Sequence, residues 1–231
     1  MDPRQRLIVA LDVSTATAAR KIVAAVGDSA HAYKVGMQLY TAEGPSLVRE
    51  LVGSGRRVFL DLKYHDIPNT AAAAVREAAY LGVAMLTVHA SGGGEMLRAA
   101  VQAAQAANHG LMVLAVTVLT SLDEDDLGTI GLRGGVLEQV LRLAALALSN
   151  GCQGVVSSAR EAAALREKFG RDFAIVTPGV RLAGSGPHDQ ARVVTPAEAI
   201  AAGASHIVVG RPIADAPDPA AEARAILGQI G

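Results

Sequence analysis

The sequence predicts an α/β fold closed into an eight-stranded barrel, a (β/α)8 TIM barrel. Two patterns predict it. Short apolar, β-branched runs alternate with longer Ala-rich stretches at intervals of roughly 20 to 30 residues, and polar residues gather just after those runs rather than before them. No Pro/Ser-rich linker divides the 231 residues, so residues 1–231 are expected to form a single barrel domain. A doubly wound open sheet is the alternative that periodicity alone leaves standing.

In chain order, the expected strands are Leu7 to Leu11, Ala32 to Val35, Val58 to Leu62, Met85 to Val88, Met112 to Val116, Gly154 to Val156, Ala174 to Val176 and His206 to Val209. Runs this apolar suit strands covered on both faces. The expected helices are Thr17 to Val26, Pro45 to Val52, Thr70 to Leu81, Glu95 to Ala107, Gly135 to Ser149, Arg160 to Lys168, Pro196 to Ala202 and Pro219 to Ile230. Proline near several starts, and Gly82, Gly151 and Gly203 near ends, punctuate them.

A barrel places its chemistry at the carboxyl ends of the strands, and the polar residues follow that rule. The runs end in Asp12, Lys34, Asp61 with Lys63, His89, Thr117 with Thr120, Ser157 with Ser158, Thr177 to Arg181, and Gly210 with Arg211. Ser157, Ser158, Thr177 and Thr195 also suit helix caps or turns. Capping has no need of Lys34, Lys63 or Arg211.

The segment Asp61 to Thr70, DLKYHDIPNT, concentrates the charge. Asp61 and Lys63 leave the same strand face roughly 6.5 Å apart, with Leu62 opposite and Asp66 just beyond the strand, before the turn at Pro68. A lysine flanked by two aspartates holds its proton and can act as a charged donor. From the Asp-x-Lys pair alone, a structural salt bridge is the better reading. Lysine is otherwise scarce, limited to Lys21, Lys34, Lys63 and Lys168 while arginine is plentiful, so a lysine kept at a strand end asks for a reason specific to its ammonium.

Composition excludes several classes. A net charge of −1 gives no electrostatic case for nucleic acid or an anionic membrane as a partner. The single cysteine, Cys152, cannot form an intramolecular disulfide and fits a reducing compartment. The first apolar run is too short for a secretory core, and no run reaches spanning length, so a cytoplasmic protein is expected. Aromatics make up only 3% of residues, leaving few candidates for ligand stacking.

TPGVR at Thr177 to Arg181 and VVGRPI at Val208 to Ile213 each set glycine and arginine directly after a strand, where backbone N–H groups and guanidinium groups can approach one phosphate. Between them the Gly-rich Leu182 to Gln190 reads either as a loop that closes over a ligand or as plain flexible chain. Asp61 and His89 end adjacent strands, but Lys34 and Lys63 beside them would repel a divalent cation, so no metal is expected. The flanking aspartates disfavour the neutral amine that a lysine Schiff base requires. No Ser or Cys nucleophile with a base at readable spacing is evident.

DLKYHDIPNT, with LDV at Asp12, YKVG at Lys34, VTVLTS, TPGVR, HDQ at His188 to Gln190, and VVGRP, closely resembles the orotidine 5'-phosphate decarboxylase family. The match runs from the first strand to the eighth. The resemblance implies a homodimeric barrel with shared active sites that converts orotidine 5'-monophosphate to uridine 5'-monophosphate in pyrimidine synthesis, without metal or organic cofactor. It also implies a tetrad of Lys34, Asp61, Lys63 and Asp66, with Lys63 the proton donor and Asp66 reaching the neighbouring subunit's site. Asp12, Lys34 and Thr70 would hold ribose hydroxyls, Ile67 would join the substrate-binding set, and Thr120 would meet the pyrimidine edge. Arg181, Gln190, Gly210 and Arg211 would form the phosphate region. Two readings compete: a Mg²⁺-dependent sugar-phosphate decarboxylase or aldolase sharing the Asp-x-Lys-x-x-Asp core, and a non-catalytic barrel that binds a phosphorylated ligand.

Overall fold

A computed structural model describes residues 2–107, 110–181 and 194–231. Its eight strands are β1 (Leu7–Ala10), β2 (Ala32–Gly36), β3 (Arg57–Tyr64), β4 (Met85–His89), β5 (Met112–Val116), β6 (Gly154–Val156), β7 (Ala174–Thr177) and β8 (His206–Val209). All neighbours pair in parallel and in sequence order, and β8 returns to β1 to close the barrel. Closure settles the choice against an open sheet.

The strands alternate between two apolar environments. Ile8, Ala10, Phe59, Met85, Leu114, Val176 and Val208 fill the barrel interior. Their neighbours Leu7, Val9, Leu60, Leu86 and Ile207 face outward into a layer shared with Val75, Leu97, Leu165 and Ile226 of the helices. Both faces of each strand are dry, which is why these runs lack polar alternation. Each fully buried aliphatic side chain contributes about 1.5–3 kcal/mol of transfer free energy. Gly154 marks a point where the interior admits no side chain, since a Cβ there would lie 2.4 Å from the Ala174 carbonyl oxygen.

The helical layer comprises α1 (Pro3–Arg6), α2 (Ala16–Val26), α3 (Met37–Gly53), α4 (Pro68–Tyr80), α5 (Gly93–Ala106), α6 (Glu124–Thr129), α7 (Val136–Ser149), α8 (Ala159–Phe169), α9 (Pro196–Ala201), α10 (Arg211–Ala214) and α11 (Pro219–Ile230). Thr15 caps α2 by accepting from the Ala18 N–H, and Thr195 forms a reciprocal capping box with Glu198 on α9. The second expected helix begins at Met37 instead of Pro45. Gly44, at φ 65°, bends the chain midway, so the Gly-Pro pair marks a kink rather than a start. The short helices α1, α6 and α10 were not expected. Among the described residues no helix is long and apolar enough to cross a membrane.

Candidate active site

Period-two alternation carries the barrel interior from apolar to charged on the way up. On β1 and beyond it the inward series is Ile8, Ala10, Asp12; on β2 it is Ala32, Lys34; on β3 it is Phe59, Asp61, Lys63; on β4 it is Met85, Thr87. Each of these four inward series therefore reaches a polar group toward the carboxyl-terminal rim.

These groups form a row of alternating charge. The Lys34 ammonium donates to Asp12 Oδ1 at 2.7 Å and lies 3.8 Å from Asp61 Oδ2. Lys63 Nζ donates to the other oxygen, Asp61 Oδ1, at 2.9 Å. The Thr87 hydroxyl donates to the same Oδ1 at 3.0 Å and accepts from the Lys63 backbone N–H at 2.9 Å. The Lys34 and Asp61 side chains are only 12% and 14% exposed, so their attraction is far less screened than that of a surface pair.

The middle position belongs to Asp61, which stands between two ammoniums, whereas the sequence had placed Lys63 between two aspartates. Asp66 lies past the strand end, is exposed, accepts a 2.7 Å hydrogen bond from the Ile67 N–H and makes no ion pair among the described residues. The cause is local: the chain leaves the barrel after Tyr64 to enter α4. Pairing with β4 also slips between Leu60 and Tyr64, and Lys63 adopts φ 51°, the one non-glycine residue with positive φ among those described. A bulge thus aims Lys63 at the site.

Two cavities meet at this row. One, of about 170 Å³, is lined by Phe59, Val116, Val118, Val156 and Val208 with Thr120 and Ser157 at its polar edge, and by Lys34, Asp61 and Lys63. The other, of about 580 Å³, continues past Lys34 and Asp61 to Asp12, Gln38, Gly179, Arg181, Gly210 and Arg211. An enclosed apolar pocket and a wider polar cleft therefore share the two buried charges of the row. Arg181 is buried, and its N–H donates to the Val194 carbonyl at 3.1 Å, tying together the ends of the segment 182–193. A Cβ on Gly210 would lie 3.6 Å from Asp12 Oδ2, so the glycine brings the β8 backbone against the charged row. Ile67 and Thr70 are exposed at the start of α4, apart from both cavity linings. Gln190 and His188 lie outside the described residues.

Thr87 was missed from the sequence, although its place between Met85 and His89 on an alternating strand was the available signal. The capping assignments divide. Ser158 accepts from the Arg160 N–H, and Thr195 caps α9, whereas Ser157 donates to Glu161 at 3.3 Å and the Thr177 hydroxyl is buried with no partner among the described residues.

The histidines and the cysteine bear on alternative chemistry. His89 is half-buried with its ring 5.3 Å from that of His65; burial first, then His65 and Lys63, hold its pKa below the usual imidazole value against the opposing pull of Asp61. Among the described residues no three His, Cys, Asp or Glu side chains gather as a metal-type cluster. Burial pushes the Cys152 thiol up to about 12, leaving it protonated and unsuited to attack.

Fold and site together define an α/β-barrel protein with a row of ion pairs at the carboxyl-terminal rim. A family model described as "Orotidine 5'-phosphate decarboxylase / HUMPS family" matches residues 5–226, and the chain belongs to that family. It is 54% identical over 226 residues to an orotidine 5'-phosphate decarboxylase of Anaeromyxobacter sp. (strain K), covering 98% of both chains. The corresponding protein of Hydrogenovibrio crunogenus is 48% identical over 231 residues, covering 100% of this chain and 98% of the relative. Among solved structures, orotidine 5'-phosphate decarboxylase from Lactobacillus acidophilus superposes with a TM-score of 0.87 at 39% identity, covering 97% of this chain and 98% of the other.

Proposed function

We propose that this chain decarboxylates orotidine 5'-monophosphate to uridine 5'-monophosphate in pyrimidine biosynthesis, using no metal or organic cofactor. The observation that carries the reading is the Asp12–Lys34–Asp61–Lys63 row at the junction of an apolar pocket and a polar cleft. The similarity to proteins bearing that name supports it.

The chemistry follows from charge placement. The C6–carboxylate bond breaks, carbon dioxide leaves, and the electron pair stays on C6 of the pyrimidine. Little resonance stabilises that carbanion, so the site has to supply fixed positive charge where the negative charge develops. The Lys63 ammonium gives this charge and then its proton to C6, and solvent restores the lysine. Asp61 and Thr87 hold Lys63 in place before substrate arrives, and Lys34 pairs with Asp61 from the other side, which removes reorganisation from the barrier.

In this reading the apolar pocket takes the pyrimidine, with Thr120 at its edge. Asp12 and Lys34 meet the ribose, and Arg181, Gly210 and Arg211, joined by Gln190, hold the phosphate. Asp66, Ile67 and Thr70 serve the site of a second copy in a homodimer, consistent with their exposure in the single chain. The enzyme works in the cytoplasm. Purified protein incubated with orotidine monophosphate and excess chelator is expected to release equimolar uridine monophosphate and carbon dioxide. Turnover that disappears with the metal would replace this reading with the Mg²⁺-dependent one; binding without turnover would make the barrel non-catalytic.

A further inference from the structure

The opposite end of the barrel holds a second set of cations. Arg6, Arg166 and Arg171 line a cavity of about 270 Å³ together with Ile200, Gly203, Ala204 and Ser205. Among the described residues no carboxylate lines it, and Asp172, next to Arg171 in the chain, stays outside. Arg6 donates to the carbonyls of Ala204, Ser205 and Ile230. Arg166 donates to the carbonyls of Gly203, Gly170 and Phe173 and to the Ser205 hydroxyl. These bonds stitch the amino-terminal loops, yet they supply only partial negative charge. A guanidinium carries five N–H donors, so Arg6 keeps two unused and Arg166 one. Arg171 is exposed and makes no hydrogen bond or ion pair among the described residues, which leaves all its donors available.

Three uncompensated guanidinium groups around one cavity repel one another; burial first, and then Arg171, disfavours the charge on Arg166. A multivalent oxyanion would relieve that repulsion and occupy the spare donors in forked geometry. We infer that this cavity is a binding site for a phosphate-class oxyanion of diphosphate size, separate from the catalytic rim. The site takes the anion among the guanidinium groups of Arg6, Arg166 and the exposed Arg171 that line the cavity. Arg171 supplies most of the donors, and because it is solvent-facing its removal leaves the barrel intact.

The test is calorimetric titration with sodium diphosphate at low ionic strength, on full-length chain carrying Arg211→Ala to weaken anion binding at the rim. One saturable site per chain is expected. Adding Arg171→Ala should weaken it by about tenfold or more, the loss appropriate to charge-assisted hydrogen bonds, while Arg171→Lys should keep part of the affinity. Near-identical binding with and without Arg171, or no saturable binding to the Arg211→Ala chain, would overturn the inference. Circular dichroism on each variant confirms that the comparison is made between folded proteins.

Discussion

At the carboxyl-terminal rim each lysine of the site faces carboxylates, Lys34 meeting Asp12 and Asp61 while Lys63 meets Asp61; at the amino-terminal floor Arg6 and Arg166 face carbonyl oxygens. The difference follows from what each end has to do. A compact ammonium beside a fixed carboxylate makes a directed local field and carries a transferable proton, which suits chemistry. A planar guanidinium with five donors binds several carbonyls at once and holds loops together while keeping donors and charge to spare. One barrel therefore sets its cations against carboxylates at one end, where the proposed chemistry needs them, and against carbonyl oxygens at the other.

The largest expected effect comes from removing the reagent. Lys63→Ala should fold, keep substrate affinity within about tenfold and lose at least ~10⁴-fold in kcat/KM, because fixed charge and proton donor vanish together. Steady-state kinetics beside a melting curve reads both, and near-normal turnover would remove Lys63 from its role. Mixing Lys63→Ala with Asp66→Ala sharpens the test. If sites are shared between copies, random reassortment gives heterodimers with one intact site, restoring about a quarter of wild-type activity.

A smaller effect is expected at the floor, where His206 is buried inside the barrel with Nδ1 unpartnered among the described residues. Burial, reinforced by Arg57 and Arg6, lowers its pKa from the ordinary 6.5 to about 4. Between those values the unfolded chain binds the extra proton, so this contribution to stability is complete above pH 6.5 and is lost as pH falls toward 4. The span amounts to roughly 3 kcal/mol. Urea unfolding of wild type and His206→Gln at stepped pH should show the variant losing that much less stability in acid. Parallel curves would refute the assignment.

The least costly break is Thr87→Val, which keeps shape but removes a hydroxyl that joins the Lys63 backbone to Asp61. About 1–2 kcal/mol of stability and about tenfold in kcat should go, with KM little changed. A change confined to KM would mean that Thr87 touches substrate rather than orienting the charged row.

How much of this was legible follows from the range of the forces involved. All eight strands were readable because a strand dry on both faces has to be apolar throughout, a signal contained in the strand itself. Gly44-Pro45 was misread because the same dipeptide that ends or starts helices also kinks them, and only packing decides which. Asp61, Lys63 and Lys34 stood out by charge. Their order did not, since which residue sits in the middle depends on a bulge in β3 that no periodicity announces. Thr87 escaped because threonine is ordinary on a strand, and only the neighbouring β3 gives its hydroxyl partners. The floor arginines drew no notice in the sequence, for their shared cavity joins residues far apart along the chain.

The left-handed backbone at Lys63 sets stability and activity against one another. A side chain in that conformation costs about 1 kcal/mol relative to glycine, so Lys63→Gly should yield a barrel that resists unfolding slightly better and does no chemistry. Selection for thermal tolerance alone would erode this position. On the proposed mechanism, only selection for the reaction would keep lysine there, which would make this residue a sensitive record of whether a member of the lineage still works as an enzyme.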